Sequence, residues 1–205
     1  AYNRLLELKA RIEKGEDFAV VAKSKNSSED PSAMKTGGDL GFFTAFQMLY
    51  PFEEMAYNTQ RDEVSNPFRT KYGYHILQVT DSRPARGTIR VAHIMVGTPQ
   101  GTSEAEIVSA EKKINEIYEK LKESNYDEYW EKMVSKYSDD PSSSKKAGEL
   151  PVFGSGSAQR MVPVFEDAAF ALKENGEISA PVRTDFGFHI LKRLEWNDIK
   201  PFDEM

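Results

Sequence analysis

The chain has 205 residues, 39% of them hydrophobic and 29% charged, which suits globular protein and leaves room for two domains of about 100 residues. A net charge of −6 argues against general binding to nucleic-acid phosphates. The absence of cysteine excludes disulfides, thiol nucleophiles and zinc–thiolate sites. No apolar run approaches the roughly 18 residues that a membrane span needs.

The sequence repeats itself with an offset of 110 to 114 residues. Five blocks keep their order in both halves, and chance similarity does not hold register over so many blocks. We therefore predict a duplicated domain. The matched blocks are 28–32 with 138–142, 38–43 with 148–153, 48–53 with 161–166, 64–70 with 178–184, and 72–77 with 186–191.

The first predicted domain covers residues 1–82 and starts inside the counterpart of the second domain's first helix. Its opening strand is therefore missing from these residues, and the sequence leaves open whether that strand is cut off, disordered or replaced by another segment. A polar stretch with Pro84 and Gly87 separates the two halves, which is typical of a domain boundary.

The second predicted domain covers residues 88–197. A β-branched apolar run over 89–96 predicts a strand, and apolar residues at helical spacing predict helices over 104–122, with Ser103 as N-cap, and over 126–136. A short strand at 152–153, a helix over 164–172 and strands over 178–182 and 187–194 complete the unit. The order predicts an α+β fold, a small and mainly antiparallel sheet surrounded by helices. Residues 198–205 look like the start of a further segment, with a helix from Trp196 onward.

The chain contains three histidines, and each lies in a predicted strand. His93 belongs to the first strand of the second half, His189 to its last strand, and His75 to the matching last strand of the first half. By pattern alone these are core histidines that satisfy hydrogen bonds. No closely spaced histidine pair or cysteine favours a metal site.

The ordered motifs resemble the parvulin family of peptidyl-prolyl isomerases. They are His93-Ile-Met-Val, Ser138-Asp-Asp-Pro-Ser-Ser, Gly148-Glu-Leu, Phe153, Met161 with Phe165 four residues later, and Thr184 followed by Gly187-Phe-His. The resemblance covers nearly the whole chain, twice. It implies two tandem parvulin-like domains of the SurA/PpiC-like bacterial folding-factor type.

By position, the resemblance implies a polar active-site wall and an apolar proline pocket in the second half. The catalytic set is His93, Asp140, Thr184 and His189, and the substrate-binding set is Leu150, Phe153, Met161 and Phe165. The first-half equivalents are Asp30, Leu40, Phe43, Met48, Phe52, Thr70 and His75, with no counterpart of His93.

Simpler interpretations of these residues stay open on the residues alone. Met161 and Phe165 are four residues apart and fit a helix core, and Asp140 before Pro141 fits a turn. Asp139 competes with Asp140 for the position facing the histidines, as Glu29 competes with Asp30.

The implied reaction is rotation about the X–Pro amide, whose barrier of ~18–20 kcal/mol comes from resonance. No bond breaks, so we expect no cofactor, metal or hydrolytic nucleophile. The resemblance implies extended proline-containing polypeptides as partners, including outer-membrane protein precursors, and a periplasmic or cell-envelope location with the targeting segment outside these residues. The 97–103 loop lacks Lys and Arg, so we expect no phosphate-specific recognition.

Two other functions compete with the enzymatic one. The chain could serve as a peptide-holding chaperone with little isomerase activity, or as a purely structural assembly domain. The second alternative leaves the retained His, Asp, Met and Phe set unexplained. Separate isomerase assays of the two halves distinguish the enzyme from the holding module.

Overall fold

The computed structural model describes residues 1–123, 126–157 and 159–199. The chain divides into two units, the first spanning Ala1–Ala85 and the second beginning at Arg86. Within the described ranges, no helix is long and apolar enough to cross a membrane. The segment expected after residue 197 falls mostly outside them, because residues 200–205 are not described.

The helices of the first unit are short, and one of them carries most of its small core. Helix α1 (Tyr2–Glu13) presents Leu5, Leu8 and Ile12 on one face, since residues three and four apart are neighbours on a helix. They pack against Val21 of α2 (Phe18–Lys23). Helices α3 (Ala33–Thr36) and α4 (Tyr50–Asn58) follow.

The sheet of the first unit is a two-stranded antiparallel hairpin. Strand β1 (Phe68–Thr70) pairs with β2 (Gly73–His75), so that Phe68 lies opposite His75 and Thr70 opposite Gly73. Residues 1–85 are all described, and none of them forms a counterpart of the second unit's first strand.

The second unit has four strands. Its elements in chain order are β3 (Thr88–Gly97), α5 (Glu104–Glu123), α6 (Tyr126–Tyr137), a 3₁₀ helix (Ser144–Lys146), β4 (Phe153–Gly154), α7 (Pro163–Ala171), β5 (Val182–Thr184) and β6 (Gly187–Asn197). The strands form an antiparallel sheet in the order β4-β3-β6-β5. The two long central strands, β3 and β6, pair along their whole length, with His93 opposite Leu191 and Met95 opposite His189.

The two faces of this sheet bury different sets of side chains because successive residues of a strand point to opposite sides. One face carries Ile94 and Ile190 and packs against α5 and α6. The other carries Val91 and Leu191 and packs against α7 and Phe153. Ser103 caps α5 as expected, since its hydroxyl accepts from the Glu106 N–H while the Glu106 carboxylate accepts from the Ser103 N–H.

Two expectations about where secondary-structure elements begin are wrong. The strand expected over 178–182 starts only at Val182, because Pro181 has no N–H to donate and the Ser179 hydroxyl, rather than the backbone carbonyl, accepts from the Leu191 N–H. A helix does not begin at Trp196, because β6 continues to Asn197, which pairs with Thr88.

Candidate active site

The strand register brings His93 and His189 together on one face of the sheet. They are diagonal neighbours, since His189 pairs with Met95, two residues beyond His93. Their Nδ1 atoms lie 3.3 Å apart, and the imidazole rings are stacked with centroids separated by 5.4 Å. Both side chains are buried, on the face that packs against α7.

Asp140, and not Asp139, faces this histidine pair. Its Oδ2 lies 2.8 Å from Nε2 of His93, while Oδ1 accepts hydrogen bonds from the N–H and hydroxyl of Ser142. Asp139 turns away, accepting a hydrogen bond from the Gly97 N–H and lying 3.9 Å from the Lys113 ammonium. The ambiguity between the two aspartates is thus resolved in favour of Asp140.

The backbone of His93 is held by a glycine that packs directly on it. Gly148 accepts the His93 N–H through its carbonyl at 2.8 Å, and its φ of +78° follows a left-handed Ala147. A Cβ at position 148 would lie 2.3 Å from the His93 carbonyl oxygen. Only glycine fits this approach, so the loop after Asp140 sets the position of the strand residue that faces it.

Thr184 completes the polar network at the β5–β6 turn. Its hydroxyl lies 2.8 Å from Nε2 of His189 and accepts the Phe186 N–H at 3.1 Å. The network therefore runs from Asp140 through His93 and His189 to Thr184, all four of the residues expected to form the polar wall.

The hydrogen-bond partners fix a direction for this network. Because ionised Asp140 can only accept, Nε2 of His93 carries the proton, and Nδ1 of a neutral His93 must accept from Nδ1–H of His189. Nε2 of His189 then accepts from the Thr184 hydroxyl. Each group donates toward Asp140, so the dipoles align along the chain.

The electrostatics keep both imidazoles neutral. Burial lowers the pKa of His189 to about 4, assisted by His93 and opposed by the charge of Asp140. Burial also lowers the pKa of His93, against the hydrogen bond and charge of Asp140. Burial raises the pKa of Asp140, but hydrogen bonds from Ser143, His93 and Ser142 outweigh it and hold that pKa below its usual range.

An apolar wall adjoins the polar network. The ring of Phe165 meets both imidazoles edge-on, with its centroid 5.9 Å from that of His93 and 5.3 Å from that of His189. Pro163 fits the first turn of α7, where its missing N–H costs no helical bond, and this helix start presents Phe165 to the sheet. The four residues expected in the pocket belong to one cluster, in which Phe153 and Phe165 are buried and Leu150 and Met161 are partly buried.

The first unit reproduces part of this arrangement. The Thr70 hydroxyl lies 2.7 Å from Nε2 of His75, and Phe52 meets that imidazole edge-on at 5.8 Å. Phe43 packs near Phe52, Met48 is partly buried and Leu40 is 39% exposed. Asp30 accepts hydrogen bonds from Ser32, and Glu29 pairs with Arg4. The His75–Thr70 end of the polar network is present without a second histidine.

Sequence reasoning missed Ser143, whose buried hydroxyl contacts both Asp140 and His93. The signal that could have found it is a break in the repeat, because Ala33 stands at the matching position of the first unit. Among the described residues, no group of three or more His, Cys, Asp or Glu side chains is arranged to hold a metal ion.

An antiparallel sheet flanked by helices, with paired histidines beside an apolar wall, defines a parvulin-like α+β fold. The chain belongs to the rotamase family of PPIC-type PPIASE domains, whose model matches residues 1–81 and 93–195.

Related proteins include folding factors from several bacteria. The Chaperone SurA of Chromohalobacter salexigens is 31% identical over 199 residues, covering 94% of this chain and 43% of the relative. The Foldase protein PrsA of Geobacillus kaustophilus is 51% identical over 75 residues, covering 37% of this chain and 26% of the relative. The crystal structure of the peptidylprolyl isomerase PrsA from Bacillus anthracis is 34% identical, covers 58% of this chain and 46% of that chain, and has a TM-score of 0.46. The chain spans less than half the length of these relatives.

Proposed function

We propose that this chain is a peptidyl-prolyl cis-trans isomerase that assists the folding of extracytoplasmic proteins. The observation that carries the proposal is the directed network from Thr184 to Asp140 beside the Phe165 wall. Family membership supports the activity, and the similarity to Chaperone SurA over 94% of the chain supports the role in folding.

The proposed reaction needs no covalent step. Amide resonance adds partial negative charge to the carbonyl oxygen, and twisting the C–N bond reduces that charge and localises the lone pair on nitrogen. A fixed carboxylate near the carbonyl therefore disfavours the planar amide more than the twisted one. Asp140, kept ionised in a part-buried position, supplies this charge, while the apolar side chains around Phe165 grip the pyrrolidine ring.

We further infer that the chain contains two tandem parvulin-like domains with different duties. The second domain, residues 88–197, carries the complete polar and apolar sets and performs isomerisation. The first domain, residues 1–82, has His75 and Thr70 with the apolar residues around Phe52 and serves mainly to hold polypeptide. In this proposal the chain both holds peptides and catalyses isomerisation, with one domain for each task.

The proposed clients are unfolded or extended proline-containing polypeptides, with outer-membrane protein precursors as a specific class. The proposed location is the periplasm or cell envelope. The likeness to proteins named as a chaperone and a foldase supports polypeptide clients in general. The specific class is tested by measuring the binding of unfolded outer-membrane protein precursors to the chain and comparing it with the binding of an unfolded protein that does not belong to the membrane.

Assay of the two units separately tests the proposed activity. Residues 86–197 are expected to accelerate isomerisation of an Ala-Pro peptide in a protease-coupled assay, and residues 1–85 to do so weakly or not at all. Circular dichroism of each piece verifies that it is folded. A folded second unit that does not raise the isomerisation rate above the uncatalysed rate would contradict the proposal.

A further inference from the structure

The hydroxyl of Ser143 lies at the centre of the Asp140–His93 contact. It is 3.1 Å from Nε2 of His93 and donates to Oδ2 of Asp140, the same oxygen that receives His93. Ser143 is only 1% exposed, so water does not compete for these bonds. Three polar atoms from a strand and a loop thus form a closed triangle inside the protein.

A count of protons gives each bond in the triangle its direction. Ser143 has one hydroxyl proton, and the Asp140 carboxylate takes it. The remaining lone pairs of the Ser143 oxygen can only accept, which requires a proton on Nε2 of His93. His93 therefore has two acceptors for one proton, and both favour the same tautomer.

The neighbouring Ser142 differs from Ser143 in its exposure and in having no hydrogen bond to His93. The Ser142 hydroxyl also donates to Asp140, at 2.8 Å from Oδ1 and 3.0 Å from Oδ2, and Oδ1 additionally accepts the Ser142 N–H. Oδ1 of Asp140 is thus tied to Ser142, while Oδ2 receives Ser143 and His93 in addition to the Ser142 hydroxyl.

The first unit lacks both halves of this contact. Ala33 stands at the 110-residue offset that also relates Asp30 to Asp140, and no histidine corresponds to His93. Ala33 is buried, so the same loop accepts alanine in its interior. The serine hydroxyl is thus present where there is a histidine to orient and absent where there is none.

We propose that Ser143 is a positioning residue that holds Oδ2 of Asp140 against His93 and fixes the His93 proton on Nε2. It thereby sets the direction of the network that ends at Thr184. The catalytic part of this inference rests on the proposed isomerase function. The effect on the histidine proton does not, because it is a property of the free protein.

Ser143→Ala in the full 205-residue chain tests the proposal, with Ser142→Ala as the matched control. Both variants remove one hydroxyl donor from Asp140, and only the first removes a partner of His93. The readouts are imidazole ¹⁵N shifts, which report the tautomer of each of the three histidines, and kcat and KM from peptide exchange spectra. Tryptophan fluorescence verifies folding, and Ala33 makes alanine compatible with this loop.

We expect His93 to change from a single Nε2–H tautomer to a mixture in Ser143→Ala and to keep its tautomer in Ser142→Ala. Ser143→Ala should lower kcat about tenfold with KM within about twofold, because Ser143 is buried and orients the network without gripping substrate. An unchanged His93 spectrum in Ser143→Ala, or equal losses of kcat in the two variants, would overturn the proposal. A wild-type chain without activity would contradict the proposed function, while the ¹⁵N comparison would still decide the role of Ser143.

Discussion

Phe165 joins the two walls of the site at the scale of single residues. It is buried in the cluster below the sheet and also meets both imidazoles edge-on, the preferred geometry between aromatic rings. Its removal would therefore affect ring binding, histidine orientation and stability together. Asp140, in contrast, acts through its charge and its contact with one histidine.

We expect Phe165→Ala to lower kcat/KM more than Asp140→Ala, because in the proposed mechanism Phe165 contacts the proline ring in every state of the reaction whereas Asp140 acts only through polarity. The phenylalanine change should also cost roughly 3–5 kcal/mol of stability. Phe170→Ala is the matched control, since Phe170 lies in the same helix and packs on Phe153 instead of the histidines. Equal or reversed losses in folded variants would contradict the ranking.

The neutral histidine pair makes stability depend on pH. His189 has a folded pKa of about 4, below the ordinary value of about 6.5 expected in the unfolded chain. Between these values the unfolded state binds more protons, so stability is full above pH 6.5 and is lost as the pH falls toward 4.

The expected loss attributable to His189 is about 2 kcal/mol between pH 7 and pH 5. Urea unfolding followed by tryptophan fluorescence measures it in the full chain, because Trp130 and Trp196 both belong to the second unit. His189→Gln should flatten this part of the pH dependence. Burial also lowers the pKa of His75, but His75 belongs to the first unit, which has no tryptophan, so His75→Gln should leave the fluorescence profile of the second unit unchanged. An equally steep profile in His189→Gln would show that other groups cause it.

At the scale of elements, the site depends on a loop packed against a strand. The loop that carries Asp140 reaches His93 only because Gly148 lets the two backbones come together. Gly187 does the same for β6 and the end of β3, since a Cβ there would lie 2.2 Å from the Val96 carbonyl oxygen. The first contact holds β3, which carries His93, against the Asp140 loop, and the second holds β6, which carries His189, against β3.

Gly148→Ala and Gly156→Ala form a pair that separates backbone conformation from close packing. Both glycines have φ near +75°, but a Cβ at position 156 meets nothing within 4 Å. We expect a cost of about 1 kcal/mol for Gly156→Ala from the left-handed backbone, and a cost on the order of 3 kcal/mol with loss of activity for Gly148→Ala. Urea unfolding monitored by tryptophan fluorescence measures both, and equal costs would contradict the packing argument.

At the scale of the whole molecule, charge bears on substrate choice. The chain carries a net charge of −6, and the 97–103 loop of the second unit has no basic residue. The exposed Arg183 lies over the ring of Phe188, and the ionised Asp140 faces the site. The charges around the site therefore favour neither the approach nor the binding of a doubly charged phosphate on the residue before proline.

We expect phosphoSer-Pro peptides to show no gain in kcat/KM over matched Ser-Pro peptides at low salt, and the expected direction of any change is a loss. Protease-coupled assay of the two peptides on the full chain measures the ratio. A tenfold preference for the phosphopeptide would refute the prediction. Arg160→Gln and Arg183→Gln would then identify the source of the positive charge.

The sequence alone contains the internal repeat and predicts the α+β class. Repeats, strand alternation and helical spacing are local patterns and are visible before any contact is known, whereas His93, His189, Phe165 and Thr184 are singled out only by the resemblance to the parvulin family. The resemblance assigned them roles, and the structure brings them within contact of one another in the second unit.

Only the tertiary structure decided how these groups meet. The choice between Asp139 and Asp140, the buried hydroxyl of Ser143 and the direction of the proton network all depend on a loop folding onto a strand about 50 residues away in sequence. Local propensity carries no information about such long-range contacts, because a turn-forming aspartate or a small serine fits its own segment equally well in any orientation. The end of β6 could not be predicted from local pattern for the same reason, since Asn197 pairs with Thr88, about 110 residues earlier in the sequence.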